Sequence, residues 1–114
     1  MSVKLNTRQV GDVTVIDVAG RITLGEGSSV LRDAVRDLVA AGKTKILLNL
    51  GEVSYIDSTG IGEIVAGYTS VANAGGTLKL LSLTKRVQDL LQITKLYTVL
   101  DVHEDETHAL RSFE

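Results

Sequence analysis

The order of apolar and polar positions along the chain predicts strands and helices that alternate. Val3 and Leu5 alternate with polar neighbours, and a second apolar run covers residues 13 to 18. The dipeptide Gly11-Asp12 between them suits a tight type II′ turn. The first two strands should therefore form an antiparallel hairpin.

Helical spacing of apolar residues indicates two longer helices. Ser28 or Ser29 can cap the first, whose apolar positions lie between Val30 and Val39, and Gly42 stands at the usual C′ position. The second should run from about residue 58 to residue 74 and stop at the pair of glycines that follows.

Short apolar runs between and after these helices predict further strands. Residues Lys45 to Leu50 read KILLNL, which is typical of a central strand covered on both faces. Thr77 to Leu81 should form the next strand, and Thr84 can cap a third helix. The last elements should be a short strand at Val99 to Val102 and a helix over about Glu104 to Phe113.

The predicted order of elements is β-β-α-β-α-β-α-β-α, an α/β fold with about four helices. Strands separated by single helices pair in parallel through right-handed crossovers. We therefore expect a mixed, mostly parallel sheet with an antiparallel N-terminal strand. The 114 residues suffice for one domain, 1–114, and no linker, repeat or low-complexity segment divides them.

Composition and charge argue against several classes of function. The net charge is −2 with scattered Lys and Arg, and aromatic residues make up only 4%, so nucleic acid is not an expected partner. The absence of cysteine removes disulfide and thiolate chemistry. The apolar runs are too short to cross a membrane, and the N-terminus lacks a secretory signal. Both features predict a cytoplasmic protein.

The loops that follow the parallel strands should gather at one edge of the sheet, where ligands and partners are met. They are Arg21 to Ser29, Gly51 to Asp57, and Ser82 to Lys85. The middle loop is the most unusual, because it delivers the hydroxyl of Ser58 to the first turn of a helix.

Glycines recur in the helix after this middle loop. Glycine inside a helix costs up to about 1 kcal/mol against alanine, so Gly60, Gly62 and Gly67 suggest close approach of another backbone. For Gly67, ordinary packing against the sheet is the simpler explanation. On the same reasoning, Gly62→Val should damage packing at the helix start and lower the melting temperature.

Ser58 admits two explanations. Serine is a common N-cap and needs no function to stand at a helix start. The free N–H groups and positive dipole end of the helix also tolerate an anion. A phosphoryl group on Ser58 would add a charge of about −1.5 to −2 beside Asp57, enough to repel an acidic or desolvated partner surface.

The segment around Ser58 resembles the signature of STAS domains of the anti-sigma factor antagonist type. The residues that carry the resemblance are Asp57, Ser58, Thr59, Gly60, Ile61 and Gly62. The similarity covers nearly the whole chain, including Gly20-Arg21-Ile22 and the segment 75–78. Thr59 stands where many members have a second serine, which leaves a second candidate hydroxyl.

This resemblance implies a partner switch in a monomeric, non-enzymatic protein without cofactors. The unphosphorylated domain would bind an anti-sigma factor that is itself a serine kinase, and thereby free a sigma factor. Phosphorylation at Ser58 would reverse this, and a separate serine phosphatase would restore it. Lys85 and Arg86 begin the third helix near the same edge, where they could meet an acidic partner or form a solvated turn. The expected partner-binding residues are Arg21, Asp57, Ser58, Thr59, Gly60, Gly62, Lys85 and Arg86.

Two other classes of regulator compete with this interpretation. A STAS scaffold or transporter-associated module would share the fold without controlling a sigma factor. A receiver domain would use Asp57 as a phosphoacceptor, but the chain lacks the acidic pair after the first strand and the lysine after the last.

Catalytic and ligand motifs are weak. Gly42-Lys43-Thr44 lacks the first glycine and the strand-to-helix context of a P-loop, although nucleotide binding as such stays open. Ser58 lacks the glycine pair of a nucleophile elbow, since Ile56 stands two residues before it, and no histidine is placed to act as its base. His103 and His108 have no Cys neighbours, so no metal site is expected.

Overall fold

Five strands form one sheet in which chain order and spatial order agree. The computed structural model describes residues 3–114, so Met1 and Ser2 of the predicted domain lie outside the described residues. The strands are β1 (Val3–Val10), β2 (Val13–Ile22), β3 (Lys45–Ile56), β4 (Thr77–Leu81) and β5 (Val102–His103). β1 pairs antiparallel with β2, and every later pair is parallel. This confirms the predicted mixed, mostly parallel sheet.

The opening hairpin has the predicted two-residue turn. Val10 pairs with Val13, which leaves Gly11 and Asp12 as the loop. Gly11 has a φ of 64°, whereas Asp12 is not among the residues with positive φ. Positive φ at the first central position alone is the type II′ pattern that matches strand twist.

Four α-helices cover the two faces of the sheet unequally. They are α1 (Glu26–Ala40), α2 (Ser58–Asn73), α3 (Lys85–Thr94) and α4 (Glu106–Arg111), with a 3-10 turn at Leu96–Thr98. The larger hydrophobic core joins α1, α2 and α3 to one face, and a smaller cluster joins α4 to the other. No helix in residues 3–114 has both the length and the apolar character that a membrane crossing demands.

The central position of β3 explains its apolar composition. Ile46 and Leu48 belong to the larger core, whereas Leu47 between them belongs to the cluster under α4. Since side chains alternate between faces, both faces of β3 are covered. All three side chains are fully buried, as the prediction of a two-sided strand requires.

The start of α1 differs from the prediction. Gly25 is the N-cap, and neither Ser28 nor Ser29 caps the helix. Both serine hydroxyls instead donate to the carbonyl oxygen of Gly25, at 3.3 and 2.7 Å. A serine hydroxyl can donate to a carbonyl three or four residues back instead of capping a helix. Helix α1 thus begins before both serines.

Residues 51–56 were predicted as loop but belong to β3. Arg21 pairs with Tyr55 and Ile22 with Ile56, beyond two register shifts between β2 and β3. Each shift places an extra residue in β3, as in a β-bulge. Extra residues break the two-residue alternation of side chains, and the sequence pattern therefore hid this part of the strand.

The C-terminal elements are shorter than predicted. Strand β5 covers Val102–His103 rather than the predicted Val99–Val102, so it begins later than expected, after a 3-10 turn that ends at Thr98. Helix α4 spans Glu106–Arg111 rather than 104–113, since the Asp105 carboxylate accepts from the N–H of His108 at 2.9 Å and fixes the first turn. The predicted cap Thr84 is confirmed at the start of α3.

Candidate partner-binding site at the start of helix α2

Three parallel strands end at the same edge of the sheet and lead into α1, α2 and α3. β2 ends at Ile22, β3 at Ile56 and β4 at Leu81. Because β3 continues to Ile56 and α2 begins at Ser58, the connection between them is the single residue Asp57. The predicted loop 51–57 is thus reduced to one acidic residue.

The Asp57 carboxylate ties the start of α2 to the segment before α1. One oxygen accepts from the N–H of Gly60 at 2.8 Å, and the other accepts from the N–H of Leu24 at 3.0 Å. The N–H of Asp57 points to the carbonyl oxygen of Ile22 at 3.4 Å. Asp57, not Ser58, is therefore the N-cap of α2.

These bonds also fix the charge of Asp57. The N–H groups of Gly60 and Leu24 hold the pKa of the Asp57 carboxyl below its ordinary value, because hydrogen bonds to the charged form favour ionisation. The Asp57 side chain is therefore negatively charged at neutral pH.

Ser58 is left free by this arrangement. It is the first residue of α2 and is exposed, whereas Thr59 is half-buried. Within residues 3–114, the Ser58 hydroxyl makes no hydrogen bond and has no capping role. Of the two candidate hydroxyls, that of Ser58 is the more accessible.

The three glycines of α2 differ from one another. A Cβ on Gly60 would lie 2.7 Å from Cγ1 of Ile56 and closer still to the Ile22 carbonyl oxygen, which confirms close approach. Gly62 is exposed with nothing within 4 Å, so its predicted packing role is wrong, and that role no longer supports the damage to packing expected from Gly62→Val. Gly67 is in ordinary contact distance of Val35 and Leu78, as simple packing predicts.

Two predicted arginines meet around an aromatic ring at this edge. The guanidinium carbon of Arg21 lies 4.7 Å from the Tyr55 ring centroid, and that of Arg86 lies 4.5 Å from it. Such cation–π contacts position the guanidinium groups at low cost. Neither arginine forms a salt bridge with any residue of the described chain.

Lys85 is at the same edge but is engaged within its own helix. Its Nζ lies 3.1 Å from a carboxylate oxygen of Asp89 four residues later, and its side chain is 85% exposed. A pair so exposed contributes little to stability. The structure therefore brings Arg21 and Arg86 together around Tyr55 but pairs Lys85 with Asp89.

Sequence reasoning missed Leu24 and Tyr55 as site residues. Leu24 is 77% exposed although it is large and apolar, and its own N–H is bound by Asp57. The signal available in the sequence was a leucine in a glycine-containing loop. No pattern in the sequence indicated that Tyr55 pairs with Arg21, because this pairing runs through the bulged part of β3.

The histidines do not build a metal centre in the described chain. Nε2 of His103 lies 3.0 Å from Asp101, and the rings of His103 and His108 have centroids 6.3 Å apart. No group of three His, Asp or Glu side chains in residues 3–114 is arranged to hold a metal ion.

Fold and site together define a small α/β domain with an exposed serine, a fixed aspartate, two arginines and an exposed leucine at one sheet edge. The family model described as STAS domain matches residues 4–109. The chain therefore belongs to the STAS domain family, which sets aside a receiver domain. The anti-sigma-B factor antagonist of Bacillus subtilis (strain 168) is 32% identical over 102 residues, which cover 90% of this chain and 92% of that protein.

Solved structures share the fold. A crystal structure of protein TM1081 from Thermotoga maritima superposes with a TM-score of 0.89 at 25% identity, covering 96% of this chain and 93% of that one. The phosphorylated form of SpoIIAA from Bacillus has a TM-score of 0.76 at 18% identity, covering 97% and 100%. At the second identity the likeness is one of fold alone.

Proposed function

We propose that this protein is an anti-sigma factor antagonist controlled by phosphorylation of Ser58. The unphosphorylated form binds an anti-sigma factor with serine kinase activity, and a sigma factor is thereby released. The observation that carries the proposal is the exposed hydroxyl of Ser58. It does not cap helix α2, because Asp57, the residue before it, is the N-cap. The name of the Bacillus subtilis relative supports the regulatory role.

The geometry supports a switch that leaves the fold intact. Asp57 holds the first turn of α2, so Ser58 can change chemically without removal of the cap. A phosphoryl group adds a charge of about −1.5 to −2 next to the Asp57 carboxylate. A partner surface that is acidic or loses its water on docking would be repelled.

The remaining partners follow from this cycle. The anti-sigma kinase transfers the phosphoryl group to Ser58, and a separate serine phosphatase removes it. The domain itself is a binding protein without catalytic residues or cofactor, acting as a cytoplasmic monomer. The partner-binding surface comprises Arg21, Leu24, Asp57, Ser58, Thr59, Gly60 and Arg86, with Lys85 and Gly62 at its margin.

A scaffold or transporter-associated STAS module is the competing function. This chain spans 92% of the Bacillus subtilis relative, so that relative has no room for a transporter domain. The name of that relative, anti-sigma-B factor antagonist, favours a regulator.

The test compares Ser58→Asp and Ser58→Ala with wild type as baits in native lysate. Ser70→Asp places the same charge on an exposed serine near the other end of α2 and is the matched control. Any anti-sigma kinase retained is then purified and titrated by calorimetry. We expect Ser58→Ala and Ser70→Asp to bind like wild type and Ser58→Asp to bind more than about tenfold more weakly, since like-charge contacts cost several kcal/mol.

Equal binding of the kinase by wild type and Ser58→Asp would contradict the switch. If every bait retains the same transporter or scaffold components, the family assignment stands and the proposed regulation of a sigma factor is wrong. Mass spectrometry after incubation of wild type with kinase and ATP shows whether Ser58 is the modified residue.

A further inference from the structure

Two guanidinium groups at the Ser58 edge contact the same tyrosine ring, and neither pairs with a carboxylate within residues 3–114. Both contact the ring of Tyr55, at 4.7 Å for Arg21 and 4.5 Å for Arg86, so they are no farther apart than the sum of these distances. Arg8 and Arg32, by contrast, each hold a carboxylate within 2.8 Å. The Tyr55 ring thus gathers positive charge that is not neutralised within residues 3–114.

Contact with the Tyr55 ring does not by itself satisfy the N–H donors of a guanidinium group. Each guanidinium has five N–H donors in a fork that suits phosphate or carboxylate. Within residues 3–114, the one polar contact of these two side chains is from Nη2 of Arg86 to the carbonyl oxygen of Ile56, at 3.5 Å, which is long for a hydrogen bond. A stronger acceptor would compete readily with that contact.

Both arginines adjoin the backbone that leads to Ser58. Arg86 contacts the carbonyl of Ile56, two residues before Ser58. Arg21 directly precedes Ile22, whose carbonyl faces the N–H of Asp57. An anion fixed covalently to Ser58 would therefore meet these guanidinium groups at a high effective concentration.

We infer that phosphorylated Ser58 binds the guanidinium of Arg86, with Arg21 in support, as an ion pair within the same chain. This inference rests on the proposed function for its phosphoryl group. It adds a second effect to phosphorylation. Besides bringing negative charge, the phosphoryl group occupies the cations that would otherwise bind carboxylates of the anti-sigma factor.

Carboxylates of a partner are the other anions that could bind here. The phosphoryl group on Ser58 is favoured because it carries up to two charges at neutral pH and because its attachment point is fixed beside Asp57. A guanidinium and a phosphate form paired, charge-assisted hydrogen bonds. A carboxylate of a separate partner protein can form the same bonds, but its binding costs more entropy because the partner must first be immobilised.

The test measures the ionisation of the phosphoryl group directly. Protein carrying phosphoserine at residue 58, inserted during translation, needs no kinase. Its phosphorus NMR signal is followed against pH in three forms that have the wild-type sequence, Arg86→Gln and Lys85→Gln. Lys85→Gln is the control. It also removes one positive charge, but from the neighbouring residue, whose side chain is paired with Asp89.

We expect Arg86→Gln to raise the second pKa of the phosphoserine by roughly half a unit or more, because a nearby cation favours the dianion and lowers that pKa. Lys85→Gln should move it much less. Arg86→Lys, which keeps the charge without the planar fork, should give an intermediate value. Circular dichroism confirms that each variant is folded.

Equal titration curves for Arg86→Gln and Lys85→Gln would overturn the inference. The phosphoryl group would then respond only to the general loss of a positive charge and not to an ion pair with Arg86. This outcome is separate from a failure of the proposed function. A domain that is never phosphorylated in cells could still show the ion pair, and a working switch could lack it.

Discussion

At the scale of single residues, the helix cap and the exposed hydroxyl at the start of α2 belong to two different residues, Asp57 and Ser58. Asp57 accepts the N–H of Gly60 and thereby caps α2. Ser58 carries an exposed hydroxyl that the helix does not need. A modification can therefore act on binding at Ser58 with little effect on folding.

Gly60 and Gly62 form a matched pair for testing the close approach in α2. Gly60→Ala should lower the free energy of unfolding by about 1–3 kcal/mol, as overpacking does, because its Cβ would meet the Ile22 carbonyl and Ile56. Gly62→Ala should raise it by up to about 1 kcal/mol, since the site is open and alanine favours helix. Urea denaturation measures both, and equal stabilities would contradict the packing argument.

Leu24 should contribute apolar contact to the partner. Leu24→Ala is expected to weaken binding of the anti-sigma factor by about tenfold, as burying a leucine contributes roughly 1.5–3 kcal/mol. Ile93→Ala is the control, because both side chains are 77% exposed but Ile93 lies near the end of α3 that points away from the Ser58 edge. Calorimetric titration showing the same loss for both variants, or none, would remove Leu24 from the interface.

At the scale of elements, α4 is attached to the sheet through charged side chains as well as its small apolar cluster. Arg8 on β1 holds both carboxylate oxygens of Glu106, at 2.7 and 2.8 Å. It also holds Asp17 on β2, which Asn49 on β3 supports at 2.8 Å. Helix α4 has only six residues, so such contacts matter for keeping it in place.

The Arg8 network predicts a specific response to acid. Hydrogen bonds from Arg8 lower the pKa of Asp17 and of Glu106. Their stabilising contribution is therefore complete above the unfolded-state values near 4 and is lost as pH falls through the lower folded-state values. Acid unfolding of the wild type should depend on this pair of carboxyls.

Replacing Arg8 should remove that dependence. Arg8→Gln should lower the free energy of unfolding at pH 7 by about 1 kcal/mol at most, because the network is about one-third exposed. Its stability should then fall less than that of wild type between pH 5 and 2. Arg36→Gln, which removes a charge that pairs with no carboxylate in the described chain, should keep the wild-type slope in the same denaturation series.

At the scale of the whole molecule, the parallel sheet explains why residues distant in sequence share one site. Leu24, Asp57 and Arg86 follow three different strands, and all reach the edge formed by the carboxyl ends of those strands. Leu24 lies in the connection before α1, Asp57 in the connection before α2 and Arg86 in the first turn of α3, so the candidate binding surface exists only in the folded domain.

The protein should also be a monomer. Its exposed edge strand, β1, presents Lys4, Asn6 and Thr7 to solvent, and polar or charged edges oppose strand pairing between copies. Sedimentation equilibrium should return a mass of 12.2 kDa across micromolar concentrations. Twice that mass would show that an apolar surface or the β1 edge is covered by a second copy.

Much of the fold could be predicted because its signals are local. Gly11-Asp12 fixed the hairpin, and the glycines at 42 and 75 marked the ends of α1 and α2. Gly62 was misjudged although a signal existed. The apolar stripe of α2 contains Ile61 and Ile64 but not position 62, so helical spacing already placed that glycine toward solvent.

The sequence by itself determined the order of elements, the mixed sheet and the position of Ser58 at a helix start, because turn, cap and periodicity act between near neighbours. Only the tertiary structure decided that β3 runs to Ile56, that Asp57 binds Leu24 and that Arg21 and Arg86 share the Tyr55 ring. Those contacts join residues about thirty or more positions apart, and bulges that shift the strand register set which of them meet.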